Sequence, residues 1–266
     1  MWIVNVTPDS FADGGRFLEP EAAWRHALAL AAEGADLLDV GAESTRPGST
    51  GVSADEELSR LVPVLERLLK ESPCPVSVDT SKPEVAEAAL ALGAHLVNDV
   101  TGLAAGPELA HVCARHGAGL VLTHMRGTPA TMQDAPHYDD LLGEVRERLA
   151  RAVAEAEGAG VDPEALAVDP GIGFGKTGSH SLMLLGHLRS LATLGKPILV
   201  GPSRKSFIGE VLGLPASERL EGTLAACALA VHQGVHILRV HDVAAAGRAV
   251  RVAEAIRDAA VSGLVG

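Results

Sequence analysis

Two groups of side chains stand out by type and position. Asp79, Asn98 and Asp169 fall at the ends of short aliphatic runs, and Arg46, Lys205, Arg239 and His241 fall at or just past the ends of others. A carboxylate withdrawn from water needs hydrogen-bond donors. The paired N–H groups on the amino-pyrimidine edge of a flat heterocycle are donors of that kind. Four cationic or readily protonated groups in a chain of net charge −12 imply an anionic ligand held locally. Asn5, Thr45 and the Gly201-Pro202-Ser203 segment add neutral donors. These residues describe a ligand with a phosphate-like end and a donor-rich, ring-like end. No Ser-His-Asp combination suggests a nucleophile.

A third feature imitates a nucleotide site. The stretch 169–177, DPGIGFGKT, ends like a Walker A loop, but Pro170 stands where its first glycine belongs. Proline also removes a backbone donor. The dinucleotide pattern GxGxxG fails at Lys176. We read the stretch as a backbone-exposing loop, with no specific ATP or GTP binding.

The elements that position these groups alternate along the chain. Aliphatic runs at 2–6, 35–40, 75–79, 95–98, 119–123, 165–168, 197–200 and 236–240 read as strands. Runs such as LVLT and ILV lack polar alternation, as strands buried on both faces of a parallel sheet do. Helical patterns cover 21–33, 54–71, 138–157, 179–194, 218–233 and 242–260, with Ser53 as the cap of the second. Gly34, Gly93, Gly117, Gly160, Gly195 and Gly234 suit helix ends. Eight βα units favour a single (β/α)₈ TIM barrel, in the α/β class, over a doubly wound sheet. In that fold the carboxyl ends of the strands share one mouth. Every predicted strand end carries polar groups, including Thr7, Asp9 and Ser10 after the first and Glu43 after the second. Simpler roles suit other residues. Asp99 and Asp242 read as caps or turns, His116, His137, His187 and His232 as ordinary histidines, and Glu21 and Arg25 as a solvated face.

Composition agrees with this frame. The 266 residues suit one domain, 1–266, since such barrels take about 250. Apolar residues make up 47% but aromatics only 3%, so aliphatic side chains and alanine must build the core. The acidic balance argues against nucleic-acid binding. The longest apolar stretches, such as 224–231, are far short of the roughly 18 residues of a membrane span. The start, MWIVNVTPDS, lacks the basic region of a signal peptide. Cys74, Cys113 and Cys227 form no CxxC pair, which points to a reducing cytoplasm.

The segments NVTPDSF (5–11), ESTRPG (43–48), VDTSKP (78–83), NDVTG (98–102), HMRGTPATMQ (124–133), DPGIGFGKT (169–177), GPSRKSFIG (201–209) and RVHDV (239–243) resemble, in order, those of the dihydropteroate synthases. The resemblance implies an aryl transferase of folate biosynthesis, a sulfonamide target. It joins 6-hydroxymethyl-7,8-dihydropterin diphosphate to p-aminobenzoate and releases pyrophosphate. It implies that Asp79, Asn98, Met125, Asp169, Phe174, Gly201, Lys205 and Arg239 bind the pterin, with Asp79, Asp169, Lys205 and Arg239 as the catalytic set. Asn5, Thr45, Arg46, Arg239 and His241 would meet the diphosphate, and Asn5 also a magnesium ion (Mg2+). Phe11, Pro47 and Ser206 would form the p-aminobenzoate pocket, with loops one and two mobile before diphosphate binds. A cytoplasmic homodimer without nucleic-acid or membrane partners is implied as well.

Two departures from the family pattern are present. FADGG replaces the commoner FSDGG at 11–15, and the segment before Asn5 is shorter than the family's, so the family's usual cover of the lower barrel face is not carried over as an expectation. Other functions fit less well. A pterin-dependent methyltransferase shares the ring-binding Asp and Asn but has no need of the cations after strands seven and eight. A non-catalytic pterin- or phosphate-binding barrel lacks only turnover. A nucleotide switch rests on the GKT triplet alone.

Overall fold

The structure, a computed structural model, describes residues 1–6 and 20–262. Among the described residues there are eight parallel strands: β1 (Trp2–Asn5), β2 (Leu38–Gly41), β3 (Val76–Asp79), β4 (Leu96–Asp99), β5 (Gly119–Thr123), β6 (Leu166–Asp169), β7 (Leu199–Val200) and β8 (Ile237–Leu238). The first six pair in sequence order, and β7 pairs with β8. Parallel bridges Val168–Ile198 and Trp2–Val240 join these two groups at both edges and close the barrel. Backbone bonds from Val168 N to Pro197 O (2.9 Å) and from Ile3 N to Val240 O (3.2 Å) make the same closure.

Side chains alternate across each strand. Outward-facing Leu38, Val40, Val76, Val78, Leu120, Leu122, Leu166 and Val168 join the large core under the helices. Fully burying one such side chain is worth about 1.5–3 kcal/mol. Inward-facing Leu96, Val121, Ala167, Leu199 and Ile237 form a smaller apolar plug with Met1. Two residues further along the same strands and segments stand Asn98, Thr123, Asp169, Gly201 and Arg239. The strand period of two thus sets the polar site directly on a dry floor. On β2 and β3 the equivalent floor positions are Asp39 and Ser77, both fully buried.

The helices are α1 (Pro20–Ala32), α2 (Ala54–Glu71), α3 (Pro83–Ala91), α4 (Glu108–His116), α5 (Leu141–Gly158), α6 (Gly178–Gly186), α7 (Ser206–Leu212), α8 (Leu220–His232) and α9 (Val243–Ser262). Ser53 caps α2 as expected, accepting from Glu56 N at 3.2 Å. The helix expected over 179–194 stops at Gly186, and Leu188–Leu194 continues as a 3₁₀ turn. Glycine is a weak helix former there. Helices α3 and α4, nine residues each, are too short for their periodicity to stand out in sequence. Among the described residues no helix is long and apolar enough to cross a membrane. The three cysteines are free. Burial pushes the Cys113 and Cys227 thiols up to about 12, so neither is a ready nucleophile.

Candidate functional site

A cavity of about 500 Å³ opens at the carboxyl ends of the strands. Asn5, Thr45, Arg46, Pro47, Asp79, Asn98, Asp169, Phe174, Gly201, Lys205, Ser206, Arg239 and His241 all line it. Phe11 lies outside the described residues. Met125 is not in the lining, and Met132 is. Met125 is half-buried in the loop after β5, and the same loop brings Met132 to the cavity, where it is 3% exposed.

The strands around the ring divide the lining. Asp79, Asn98 and Asp169 lie on β3, β4 and β6. Asp79 Oδ2 accepts from Arg239 Nη2 at 2.7 Å, while its Oδ1 is buried without a partner. Asn98 Nδ2 donates to Asp39 Oδ2 at 3.2 Å, and Asn98 Oδ1 is likewise buried and unpartnered. Asp169 Oδ1 accepts from Gly171 N at 2.7 Å. Burial pushes Asp79 up to about 7 against the pull of Arg239, with Asp39 adding to the rise. Burial also raises Asp169, against the pull of Lys205. Lys205 donates to Ile172 O and stands 4.5 Å from the centre of the Phe174 ring. Burial lowers it to about 8, opposed by Asp169. Burial works against the charge of Arg239 too, but Asp39 and Asp79 overcome it and hold its pKa above the ordinary value. Lys205 and Arg239 therefore belong electrostatically to the acceptor half.

The other half runs from β8 through β1 to the loop after β2, and carries His241, Asn5, Thr45 and Arg46. Burial lowers His241 to about 4, and Arg239 adds to this, so the imidazole is neutral at pH 7. Ser203 Oγ accepts from His241 N at 3.2 Å and lies 3.0 Å from Nδ1. The hydroxyl thus holds the imidazole at Nδ1 and orients the ring. His241 was expected among the cations, but in the free site it is a neutral imidazole. The loop carrying Arg46 is folded on itself. Ser49 Oγ donates to Ser44 O at 2.6 Å and to Arg46 O at 2.7 Å. Glu43 accepts from Val52 N at 2.8 Å and from Lys82 Nζ at 2.9 Å, and Lys82 also pairs with buried Glu57 at 2.6 Å.

The GKT triplet has a structural explanation. Lys176 is 2% exposed and donates to Phe174 O at 2.9 Å and His124 O at 3.2 Å. Thr177 caps α6, accepting from His180 N at 3.1 Å. Gly175 has φ +62°, and a Cβ there would meet Arg126 O at 2.5 Å. Gly171 has φ +69°, with His124 O 1.9 Å from where a Cβ would sit. Asp99 is a turn residue, as expected: its oxygens accept from Thr101 N (2.8 Å) and Leu103 N (2.7 Å). Asp242 pairs with Arg204, which has φ +54°.

Among the described residues no three His, Cys, Asp or Glu side chains gather into a metal site. Asn5 offers one amide oxygen between the strands that lead to His241 and Arg46. Magnesium takes few protein ligands and keeps waters and phosphate oxygens. This donor set fits an ion carried in by a diphosphate rather than one held by protein alone. Sequence reasoning missed Asp39, for which an aspartate inside the aliphatic run LLDVG, spaced by two from the inward-facing Gly41, was the available signal. Ser203, expected among the neutral donors, lines the cavity and holds His241.

The model of the pterin binding enzyme family matches residues 1–241. The dihydropteroate synthase of Escherichia coli is 47% identical over 255 residues, covering 96% of this chain and 90% of that one. The solved Yersinia pestis dihydropteroate synthase, in complex with a sulfonamide drug, matches with a TM-score of 0.93 at 42% identity, covering 97% of this chain and 94% of that one. The Xanthomonas albilineans dihydropteroate synthase, solved with 4-aminobenzoic acid, matches with a TM-score of 0.89 at 50% identity, covering 97% and 92%.

Proposed function

This chain belongs to the dihydropteroate synthase family, and we propose that its cavity joins 6-hydroxymethyl-7,8-dihydropterin diphosphate to p-aminobenzoate, giving 7,8-dihydropteroate and pyrophosphate. The observation that carries this reading is the division of the lining. Asp79 Oδ1 and Asn98 Oδ1, on β3 and β4, are buried acceptors with no partner, while Arg46 follows β2 and His241 follows β8. An unmet buried acceptor costs about 1–3 kcal/mol. The N–H edge of a pterin satisfies such acceptors, and Asp169 adds a third.

The chemistry then asks little of a base. The methylene carbon bears a diphosphate and is conjugated to the ring, so the C–O bond breaks with charge spread into the pterin. The amine nitrogen of p-aminobenzoate forms the new C–N bond and gives up a proton. An aryl amine is neutral at pH 7 and needs no prior deprotonation. What the protein supplies is position and charge. Lys205 and Phe174 hold the ring face, and Arg239, fixed between Asp39 and Asp79, lies under it. Arg46, Thr45, Asn5 and the imidazole of His241 receive the leaving diphosphate. A phosphate beside His241 favours its protonated form, so the donor there strengthens as charge builds. Magnesium, with Asn5 as its protein ligand, would neutralise phosphate oxygens. Pro47 and Ser206, both in the cavity lining, belong to the p-aminobenzoate pocket, where a sulfonamide would compete.

The same reading makes residues 1–266 one domain of a cytoplasmic homodimer. Exposed Met183, Val211, Leu229 and Ile256, on α6 to α9, support an apolar surface for a second copy. Two variants test the two-ended site. Asp169→Asn offers a donor to a donor and should weaken binding of 6-hydroxymethylpterin by about ten- to a hundredfold, the scale of a hydrogen bond to a charged group. It should leave magnesium pyrophosphate binding nearly unchanged. His241→Ala should do the reverse. Calorimetry showing that each variant weakens both fragments equally would sink the assignment.

A further inference from the structure

Asp39 is fully buried and does not line the cavity. It occupies the inward-facing layer that is aliphatic on β4 to β8. A carboxylate in that layer is expensive unless its charge is met. Its partners meet one oxygen: Oδ2 accepts from Arg239 Nε at 2.6 Å and from Asn98 Nδ2 at 3.2 Å, while Oδ1 is buried without a partner. An ionised carboxylate only accepts. Asn98 must therefore turn its NH₂ toward Asp39 and its carbonyl oxygen away, and that oxygen is the one left without a partner. Asp79 grips Arg239 at a second nitrogen, Nη2, at 2.7 Å. Two carboxylates on two nitrogens of one planar guanidinium fix the plane as well as the position.

We propose that Asp39 is a positioning residue for ring recognition, which sets the Asn98 amide so that its carbonyl faces the ligand and locks the plane of Arg239. The inference rests on assigning the acceptor half to the pterin. It explains why a carboxylate stands in the layer where β4 and β5 carry Leu96 and Val121. In Asp39→Asn one amide oxygen can still face both Arg239 and Asn98, but as a neutral acceptor in place of a carboxylate. Asn98 is then held less firmly, and its own NH₂ can turn to the N–H groups of the ring. In the reciprocal double variant, Asp39→Asn with Asn98→Asp, the amide at position 39 donates to the carboxylate at position 98. That carboxylate still turns an acceptor oxygen to the ring.

The test is calorimetry of 6-hydroxymethylpterin with the whole chain, alongside circular dichroism for the fold. Wild type should bind. Asp39→Asn should bind at least about tenfold more weakly, the scale of one hydrogen bond to a charged group. The double variant should recover to within about threefold of wild type, a coupling that independent sites do not show. Wild-type affinity in Asp39→Asn overturns the proposal, as does a folded double variant that binds no better than the single. If the single variant does not fold, the double variant alone decides, by the same threefold limit. Failure of both to fold also overturns it, because the residue would then serve the fold. A wild type that does not bind the pterin refutes the functional reading itself.

Discussion

Ring binding should be linked to proton release from Asp79. Burial over the apolar floor pushes this carboxyl to about 7, opposed by Arg239 and assisted by Asp39. The pterin edge offers donors, so the bound form of Asp79 is the carboxylate. Protonated enzyme must lose that proton first, and affinity should rise with pH. For a free-site pKa of about 7, the apparent dissociation constant exceeds its limit by about elevenfold at pH 6, about twofold at pH 7 and about 1.1-fold at pH 8. Above that, Lys205, lowered to about 8, loses its charge and affinity should turn down again. Calorimetry of 6-hydroxymethylpterin across this range gives the profile, and buffers of different ionisation heat give the proton count. Near pH 6 about one proton should be released per ring bound. In Asp79→Asn the rising limb should vanish. An affinity constant within twofold from pH 6 to pH 8, or proton uptake on binding, would refute the reasoning.

Lys205→Ala removes the donor beside Phe174 and should lower kcat/KM by about ten- to a few-hundredfold; steady-state kinetics near the wild-type value would remove Lys205 from the site. Gly171→Ala forces a Cβ to within 1.9 Å of His124 O at φ +69°. It should lower stability by about 1–3 kcal/mol in denaturant titrations and also abolish ring binding, because Gly171 N holds Asp169. Lys176→Ala removes a donor from two carbonyls and should lower the unfolding midpoint, while ATP binding is absent in both proteins when followed by calorimetry.

The residues at the strand ends were legible because a barrel turns a one-dimensional pattern into a ring. An aliphatic run followed by Asp79, Asn98 or Asp169 specifies both strand and mouth. Pairing between elements was not legible. Arg239 and Asp39 are 200 residues apart in sequence, and nothing local says that one guanidinium serves two carboxylates. The state of His241 was hidden for another reason: its neutrality comes first from burial, which only the folded chain shows, and then from nearby Arg239. Met125 and Met132 share one loop, and only its fold decides which reaches the cavity. Ser53 and the alternation of strands and helices were readable because caps and periods are local chemistry. The end of α6 at Gly186 was missed because the apolar pattern continues through the 3₁₀ turn.

The most direct measurement is turnover. The chain is incubated with 6-hydroxymethyl-7,8-dihydropterin diphosphate and p-aminobenzoate, with and without magnesium, and both dihydropteroate and pyrophosphate are quantified. The two products should appear in equal amounts, faster with magnesium, and Arg46→Ala should slow both together. Binding of both substrates with neither product formed would contradict the assignment and leave a pterin-binding barrel without transferase activity.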